Sequence, residues 1–314
     1  MKNNVKVVIF GMGSIGIRHV KLLKKRNDLT LFAFRSKTTP KTNKFGLNEI
    51  YSWNELKKLH PDIALITNPT YLHIETARKC SELGCKLFIE KPIGIGKKDL
   101  DNLLNEVKKN NSVTYIAYNL RFHSVIIELK KYMKFNKPLH MRIVCSSFLP
   151  NWRKDQDYIK SYSRFAKKGG GVVLDLSHEI DYAEYLFGKV NKIAGVFGKR
   201  SKLTSDAEDY ADILLTCDKG PVNIYVNYFG QIQERNIIID YERISVKGDL
   251  INNSITEYKN YKRINQYYLT RGKDNSYEKQ LEYFFDNLEN TRMMNNIFEA
   301  SDLFKQIILF KDKN

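Results

Sequence analysis

Apolar residues crowd the start of the chain. Val5-Lys6-Val7-Val8-Ile9-Phe10 is a β-branched and aromatic run, the pattern of a strand buried on both faces. A glycine-rich turn follows, and apolar residues then return at helical spacing through Val20, Leu22 and Leu23. Strand and helix patterns alternate from there. Strands are predicted over 30–34, 63–67, 87–89 and 114–117, and helices over 54–59, 72–83 and 98–109. Ser52 and Glu55 stand at capping-box spacing before the first of these helices. Such alternation predicts a doubly wound parallel sheet with helices on both faces, and ligands held at the carboxyl ends of its strands.

The pattern changes near residue 120. A helix over 125–133 and a strand over 139–147 lead into a polar, aromatic loop from Pro150 to Gly171, and a helix is predicted over 178–186. Ile213, Leu215 and Cys217 then alternate with polar residues, and Val222, Ile224, Val226 and Tyr228 do the same after Lys219-Gly220, which reads as a hairpin. Ile237–Ile239 and Ile244–Val246 continue it, and helices over 277–288 and 298–309 close the chain. The expected architecture is an α/β domain over residues 1–120 and an α+β domain over 121–314 with an open, mostly antiparallel sheet, one face of it covered. No internal repeat or low-complexity linker interrupts it.

The turn after the first strand is Gly11-Met12-Gly13-Ser14-Ile15-Gly16. Strand, glycine turn and helix in that order are what a dinucleotide phosphate site needs; a tight turn alone is the plainer alternative. The first glycine permits the tight turn, the second lets the backbone approach a pyrophosphate, and the third lets helix pack on strand. The free N–H groups of the helix, from Ser14, Ile15 and Gly16, then face the phosphates. Sites that prefer NAD place a carboxylate about 20 positions later, on the ribose 2′-hydroxyl. Here the second strand ends Phe34-Arg35-Ser36-Lys37, with no carboxylate. A guanidinium at Arg35 suits adenine and a 2′-phosphate, and Ser36 can donate to it, so NADP(H) is expected ahead of NAD(H).

Bulk properties narrow the class. The chain has 314 residues, 42% of them hydrophobic, which suits two globular domains. No apolar run approaches the ~20 residues of a membrane span. The first strand begins almost at once, so no signal peptide is expected, and a cytoplasmic, reducing setting follows. Cys80, Cys85, Cys145 and Cys217 lie in apolar segments without metal-type spacing, and no metal is expected. The formal net charge of +17 admits nucleic acid, an acidic membrane surface or phosphate-bearing ligands. Its lysines are scattered, as at Lys24, Lys57, Lys97 and Lys108, with no basic tail or reading helix. The reading is therefore a solvated basic surface, with no nucleic-acid or membrane partner.

Two stretches carry candidate chemistry. Glu90-Lys91-Pro92 ends a strand at the sheet's carboxyl edge, where a lysine beside a nicotinamide can relay a proton. As a tripeptide it reads equally as a surface turn. Further on, Gly169-Gly170-Gly171 allows close approach of the backbone to something, and Asp175 and His178, three apart, share a face if both are helical. A carboxylate beside an imidazole is an acid/base pair; a helix start rich in acids is the plainer alternative.

Taken together, these residues resemble the glucose–fructose oxidoreductase/inositol dehydrogenase (Gfo/Idh/MocA) family over nearly the whole chain. The resemblance is carried by residues 11–16 with Arg18-His19, Thr67-Asn68-Pro69 with His73, Glu90-Lys91-Pro92, Tyr118-Asn119-Leu120-Arg121-Phe122, and the triple glycine with Asp175 and His178. It implies an NAD(P)-dependent oxidoreductase, with catalysis at Lys91, His178 and Asp175. It implies cofactor contacts from Thr67, Asn68, Pro69, His73, Glu90, Lys91 and Arg121, and a homodimer or homotetramer. The implied reaction moves a hydride between nicotinamide and a secondary alcohol of a sugar. Trp152, Arg153, Tyr158 and Tyr162, with Lys91 and His178, would hold the substrate, aromatic faces suiting a sugar ring and Arg an acidic group. The loop around Trp152 looks like that of members tied to surface-polysaccharide or sialic-acid-like sugars. One departure stands out: the family's acid and histidine are usually four apart. A non-catalytic NADP-responsive regulator, or a reductase of a non-sugar imine or alkene, fits the same fold.

Overall fold

Six parallel strands build the first sheet: β1 (Val5–Phe10), β2 (Leu29–Phe34), β3 (Asn48–Ile50), β4 (Ile63–Ile66), β5 (Lys86–Glu90) and β6 (Thr114–Ala117), in the order β3-β2-β1-β4-β5-β6. Every residue of β4 and β6 is buried, as both-face covering demands. Helices α1 (Ser14–Leu23), α2 (Trp53–Leu59), α3 (His73–Glu82) and α4 (Leu100–Lys109) connect them. The strand order reverses between β1 and β4, so the crevice of this Rossmann domain opens at their carboxyl ends. The structure is a computed structural model and describes residues 4–35, 45–152, 157–270 and 275–313.

Half of the capping box forms: the Ser52 hydroxyl accepts from the Glu55 amide at 3.2 Å, while the Glu55 carboxylate accepts from the amide of Tyr51, one residue ahead of the cap. The sequence pattern missed β3, three residues long at the sheet edge, because so short a strand carries no alternation to read.

The chain divides into two compact units, Met1–Ala117 with Gln280–Asp302, and Tyr118–Lys279 with Leu303–Asn314. The returning stretch of the first unit comes from the part of the chain that sequence alone assigned to the second domain. It covers the β6 edge. Asn295 donates its side-chain amide to the Ile116 carbonyl at 2.6 Å, and the Ile116 amide donates to the Asn295 carbonyl at 2.9 Å. Phe284 packs edge-on to Phe88, ring centres 5.4 Å apart.

The second unit holds α5 (Ser124–Phe135), β7 (Pro138–Phe148), α6 (Val172–Asp175), α7 (His178–Phe187), and strands β8 (Val190–Gly198), β9 (Tyr210–Cys217), β10 (Gly220–Asn227), β11 (Phe229–Tyr241), β12 (Ser245–Asp249), β13 (Ser254–Lys259) and β14 (Lys262–Tyr268). Helices α8 (Asn275–Asp286) and α9 (Ile297–Lys313) follow. The sheet order is β14-β13-β12-β11-β7-β10-β9-β8. Strict alternation in β9 buries Ala211, Ile213, Leu215 and Cys217 and exposes Leu214. The β9–β10 hairpin is present, but β11 does not continue it. β7 lies between β10 and β11 and runs parallel to β10, the one parallel pair in this sheet among the described residues. All four cysteines are buried with free thiols. Among the described residues no helix is long and apolar enough to cross a membrane, and no group of three or more His, Cys, Asp or Glu could hold a metal ion.

Candidate active site

Three loops leave the carboxyl ends of β1, β4 and β5, which are neighbours in the first sheet. In the first, Gly11 adopts φ +93°, and a side chain there would overlap the Asn68 backbone. A Cβ on Gly16 would overlap the Gly11 carbonyl oxygen, so this glycine lets α1 sit on the turn. A Cβ on Gly13 would meet nothing within 4 Å. Gly11 and Gly16 thus answer to internal packing, and Gly13 does not. Gly13 is the N-cap of α1, whose first turn carries no acidic side chain, and the amides of Ser14, Ile15 and Gly16 precede the first residue bonded back into the helix, Ile17.

The second loop is tied to the first. Thr67 donates its hydroxyl to the carbonyls of Phe10 at 2.9 Å and Gly11 at 2.8 Å, so it fixes the glycine turn from behind. Asn68 donates its amide to Thr76 at 2.9 Å, and Pro69 opens a short turn ahead of α3. His73 is 2% exposed, and its two ring nitrogens lie 2.8 and 2.9 Å from the carbonyl oxygens of Asn68 and Pro92. Sequence placed His73 at the cofactor; the structure gives both its nitrogens to backbone carbonyls. The third loop begins with Glu90, 7% exposed, whose carboxylate lies 2.7 Å from Nε2 of the fully buried His19. Lys91 follows, half-buried, joined to Pro92 by a cis peptide bond.

At the end of β2 the structure changes a premise. Arg35 has a carboxylate beside it after all: Glu49 on β3 pairs across from Ala33 and brings Oε1 to 3.8 Å from the Arg35 Nε. The Tyr51 hydroxyl also donates to Glu49, and that carboxylate pushes the phenol pKa above its ordinary value. Ser36 and Arg153 lie outside the described residues.

In the second unit the triple glycine serves packing. A side chain on Gly170 would overlap the Ser163 carbonyl, and one on Gly171, at φ +98°, the Glu208 carboxylate. The approach it permits is thus to the protein itself. Asp175 and His178 do not share one helix: α6 ends at Asp175 and α7 starts at His178. Asp175 is 5% exposed and accepts from the hydroxyls of Tyr162 at 2.7 Å and Tyr228 at 3.0 Å. The His178 ring packs edge-on to Tyr118 at 5.5 Å. Tyr118 donates to Ser177, and its burial raises the phenol pKa well above the ordinary value.

Trp152 lies edge-on to Tyr228 at 5.1 Å and donates its indole N–H to Ser147. Trp152, Tyr162, Tyr228 and Asp175 thus form one aromatic and acidic cluster. Tyr158 stands on another contact, accepting from the Thr204 amide at 3.3 Å. Arg121, expected at the cofactor, is 8% exposed and commits Nε and Nη2 to Asp181, at 2.7 to 3.1 Å. Burial pushes the Asp181 carboxyl above its ordinary pKa, against the pull of that guanidinium. Sequence reasoning missed Tyr228, Glu49 and the role of His19. Alternation put Tyr228 on a covered face, but nothing local reveals a partner 53 residues away.

Comparison with known proteins follows the same division. A family model described as an oxidoreductase family with an NAD-binding Rossmann fold matches residues 5–118, and the GFO/IDH/MocA C-terminal domain model matches residues 134–249. The myo-inositol 2-dehydrogenase of Thermotoga maritima is 25% identical over 261 residues, 78% of this chain and 73% of that protein. Among solved structures, a levoglucosan dehydrogenase in complex with NADH superposes with a TM-score of 0.85 at 16% identity, covering 99% of this chain and 97% of that one. The UDP-N-acetylglucosamine 3-dehydrogenase of Acidithiobacillus ferrooxidans gives 0.79 at 18% identity, covering 98% and 96%.

Proposed function

We propose that this chain, which belongs to the Gfo/Idh/MocA oxidoreductase family, moves a hydride between a nicotinamide dinucleotide and a secondary alcohol or ketone of a polyol, sugar or nucleotide sugar. One observation carries the reading: the glycine turn, the Thr67-Asn68-Pro69 loop and Lys91 emerge from adjacent strands at one edge of the sheet. A nicotinamide dinucleotide held by the amides of Ser14, Ile15 and Gly16 and by the Thr67-Asn68-Pro69 loop would supply the hydride acceptor or donor. Lys91 then hydrogen-bonds the substrate oxygen and stabilises the charge that develops there, and His178 takes the hydroxyl proton during oxidation. Asp175, its carboxylate aligned by Tyr162 and Tyr228, orients a substrate hydroxyl. Trp152 and Tyr162 offer ring faces to the sugar. The three relatives above are named for inositol, levoglucosan and UDP-N-acetylglucosamine, which supports a polyhydroxylated ring as the substrate class. A surface-polysaccharide or sialic-acid-like sugar is the narrower expectation.

Arg35 favours NADP(H) and Glu49 opposes it, so both dinucleotides bind, NADP(H) the tighter. A second copy covers the open face of the larger sheet, where Val196 and Leu214 are exposed, and the enzyme works in the cytoplasm.

Fluorescence titration with NADPH and NADH, then a panel of polyols, sugars and nucleotide sugars, tests the whole reading. Lys91→Ala and His178→Ala should each lower turnover roughly 100-fold or more with cofactor Kd retained. Arg35→Asp should remove the preference for NADPH, and Glu49→Gln should strengthen it. Binding of neither dinucleotide would overturn the oxidoreductase assignment for this chain.

A further inference from the structure

Two buried imidazoles reach the Glu90-Lys91-Pro92 turn from the two helices that begin at the cofactor edge. His19, on α1, meets the Glu90 carboxylate at 2.7 Å, and His73, on α3, meets the Pro92 carbonyl at 2.9 Å and the Asn68 carbonyl at 2.8 Å. They flank the lysine in sequence on both sides. His19 is wholly buried and His73 nearly so, which excludes both rings from contact with a ligand in solvent.

The chemistry of the His73 contacts is specific. A carbonyl oxygen only accepts, so a neutral ring donates to one of the two and a charged ring to both. Burial lowers the imidazole pKa below its ordinary value, against the two carbonyls and the nearby Glu90 carboxylate, which favour the charged ring, and Lys91 adds to the lowering. Glu90 and Lys91, from the end of β5, are the charged groups facing this imidazole; the Thr67-Asn68-Pro69 loop contributes none.

We propose that His73 and His19 are positioning residues for Lys91. His73 ties the lysine turn to the Asn68 loop, and His19 ties it to the helix that receives the dinucleotide phosphates. The lysine turn is thereby held from both sides. This rests on the reading of Lys91 as the group that meets the substrate oxygen.

The test uses the full chain. Lysines are reductively methylated with 13C-formaldehyde, the Lys91 resonance is identified by its loss in Lys91→Arg, and its titration is followed by NMR. NADPH Kd is read by fluorescence. His73→Asn and Glu90→Gln should shift the Lys91 titration midpoint while those of other lysines stay, and should leave the NADPH Kd within about threefold. Turnover on the substrate found in the panel should fall on the order of 100-fold, the effect of a displaced catalytic group. His73→Asn added to Lys91→Ala should cost nothing further, because one acts through the other. If His73→Ala does not fold, the Asn and Gln variants carry the same measurement. An unmoved Lys91 titration, or losses that add fully in the double variant, would refute positioning while leaving Lys91 catalytic. Full turnover in Lys91→Ala with NADPH still bound would remove the lysine role and this proposal together.

Discussion

Replacing Arg121 by Met isolates a buried charge. Asp181 is 1% exposed, and its carboxylate takes three hydrogen bonds from the Arg121 guanidinium at 2.7, 3.0 and 3.1 Å. Removing one partner of a buried pair costs about 3–5 kcal/mol, because the remaining charge has lost its compensation. The guanidinium also sits over the Tyr185 ring at 5.2 Å, a contact that goes with it. Burial already pushes the Asp181 pKa up, and loss of Arg121 raises it further. A folded pKa above the unfolded value of about 3.9 means that the folded carboxyl binds the proton more tightly. The variant is therefore least harmed at low pH and loses stability as pH rises through the folded pKa. Urea denaturation followed by circular dichroism at pH 5.5, 7 and 8.5, set against the parent, should show a deficit that grows with pH. Arg121→Met with Asp181→Leu should recover most of it, since a packed apolar pair replaces an ion pair at little cost. A deficit below about 1 kcal/mol, or one equal at pH 5.5 and 8.5, would refute the assignment of a buried charge pair and return the guanidinium to the ligand crevice.

Two further outcomes follow from single positions. His123 is pushed down to about 4 by burial and by the nearby Arg235, and its neutral Nδ1 accepts from the Val125 amide at the start of α5. With a folded pKa depressed below the unfolded 6.5, its contribution is complete above pH 6.5 and is lost as pH falls toward 4, by up to about 3 kcal/mol. His123→Asn should flatten the stability profile across that window, and an unchanged slope would assign the pH dependence elsewhere. In the glycine turn, Gly16→Ala should destabilise the protein by about 1–3 kcal/mol, because its methyl overlaps the Gly11 carbonyl. Gly13→Ala, with nothing within 4 Å, should leave the urea midpoint alone and raise the NADPH Kd roughly tenfold. Equal effects of the two on stability would contradict the division of labour between these glycines.

Much of the site was legible along the chain because its signals are local. A β-branched run, a glycine turn and an amphipathic helix in sequence determine the dinucleotide half by backbone sterics and helix-end amides alone, and the β9 alternation determines a one-sided sheet. The glycines needed no partner to be recognised; what each one touches did. Sequence also set Lys91 at a strand end, which is a matter of periodicity.

Tertiary structure decided everything that depends on distant pairing. Glu49 reaches Arg35 only because a three-residue strand adds to the sheet edge, and that reverses the inference that no carboxylate was near. An amphipathic helix records that a face must be buried and not against what, so residues 280–302 could not be assigned to the first unit from their pattern. Alternation fixes which face of a strand is covered, but strand order is a choice among pairings of similar energy, and β7 between β10 and β11 was invisible to it. The same holds for charge: a motif specifies a side chain's chemistry and only the fold specifies its partner, as Asp181 against Arg121 shows.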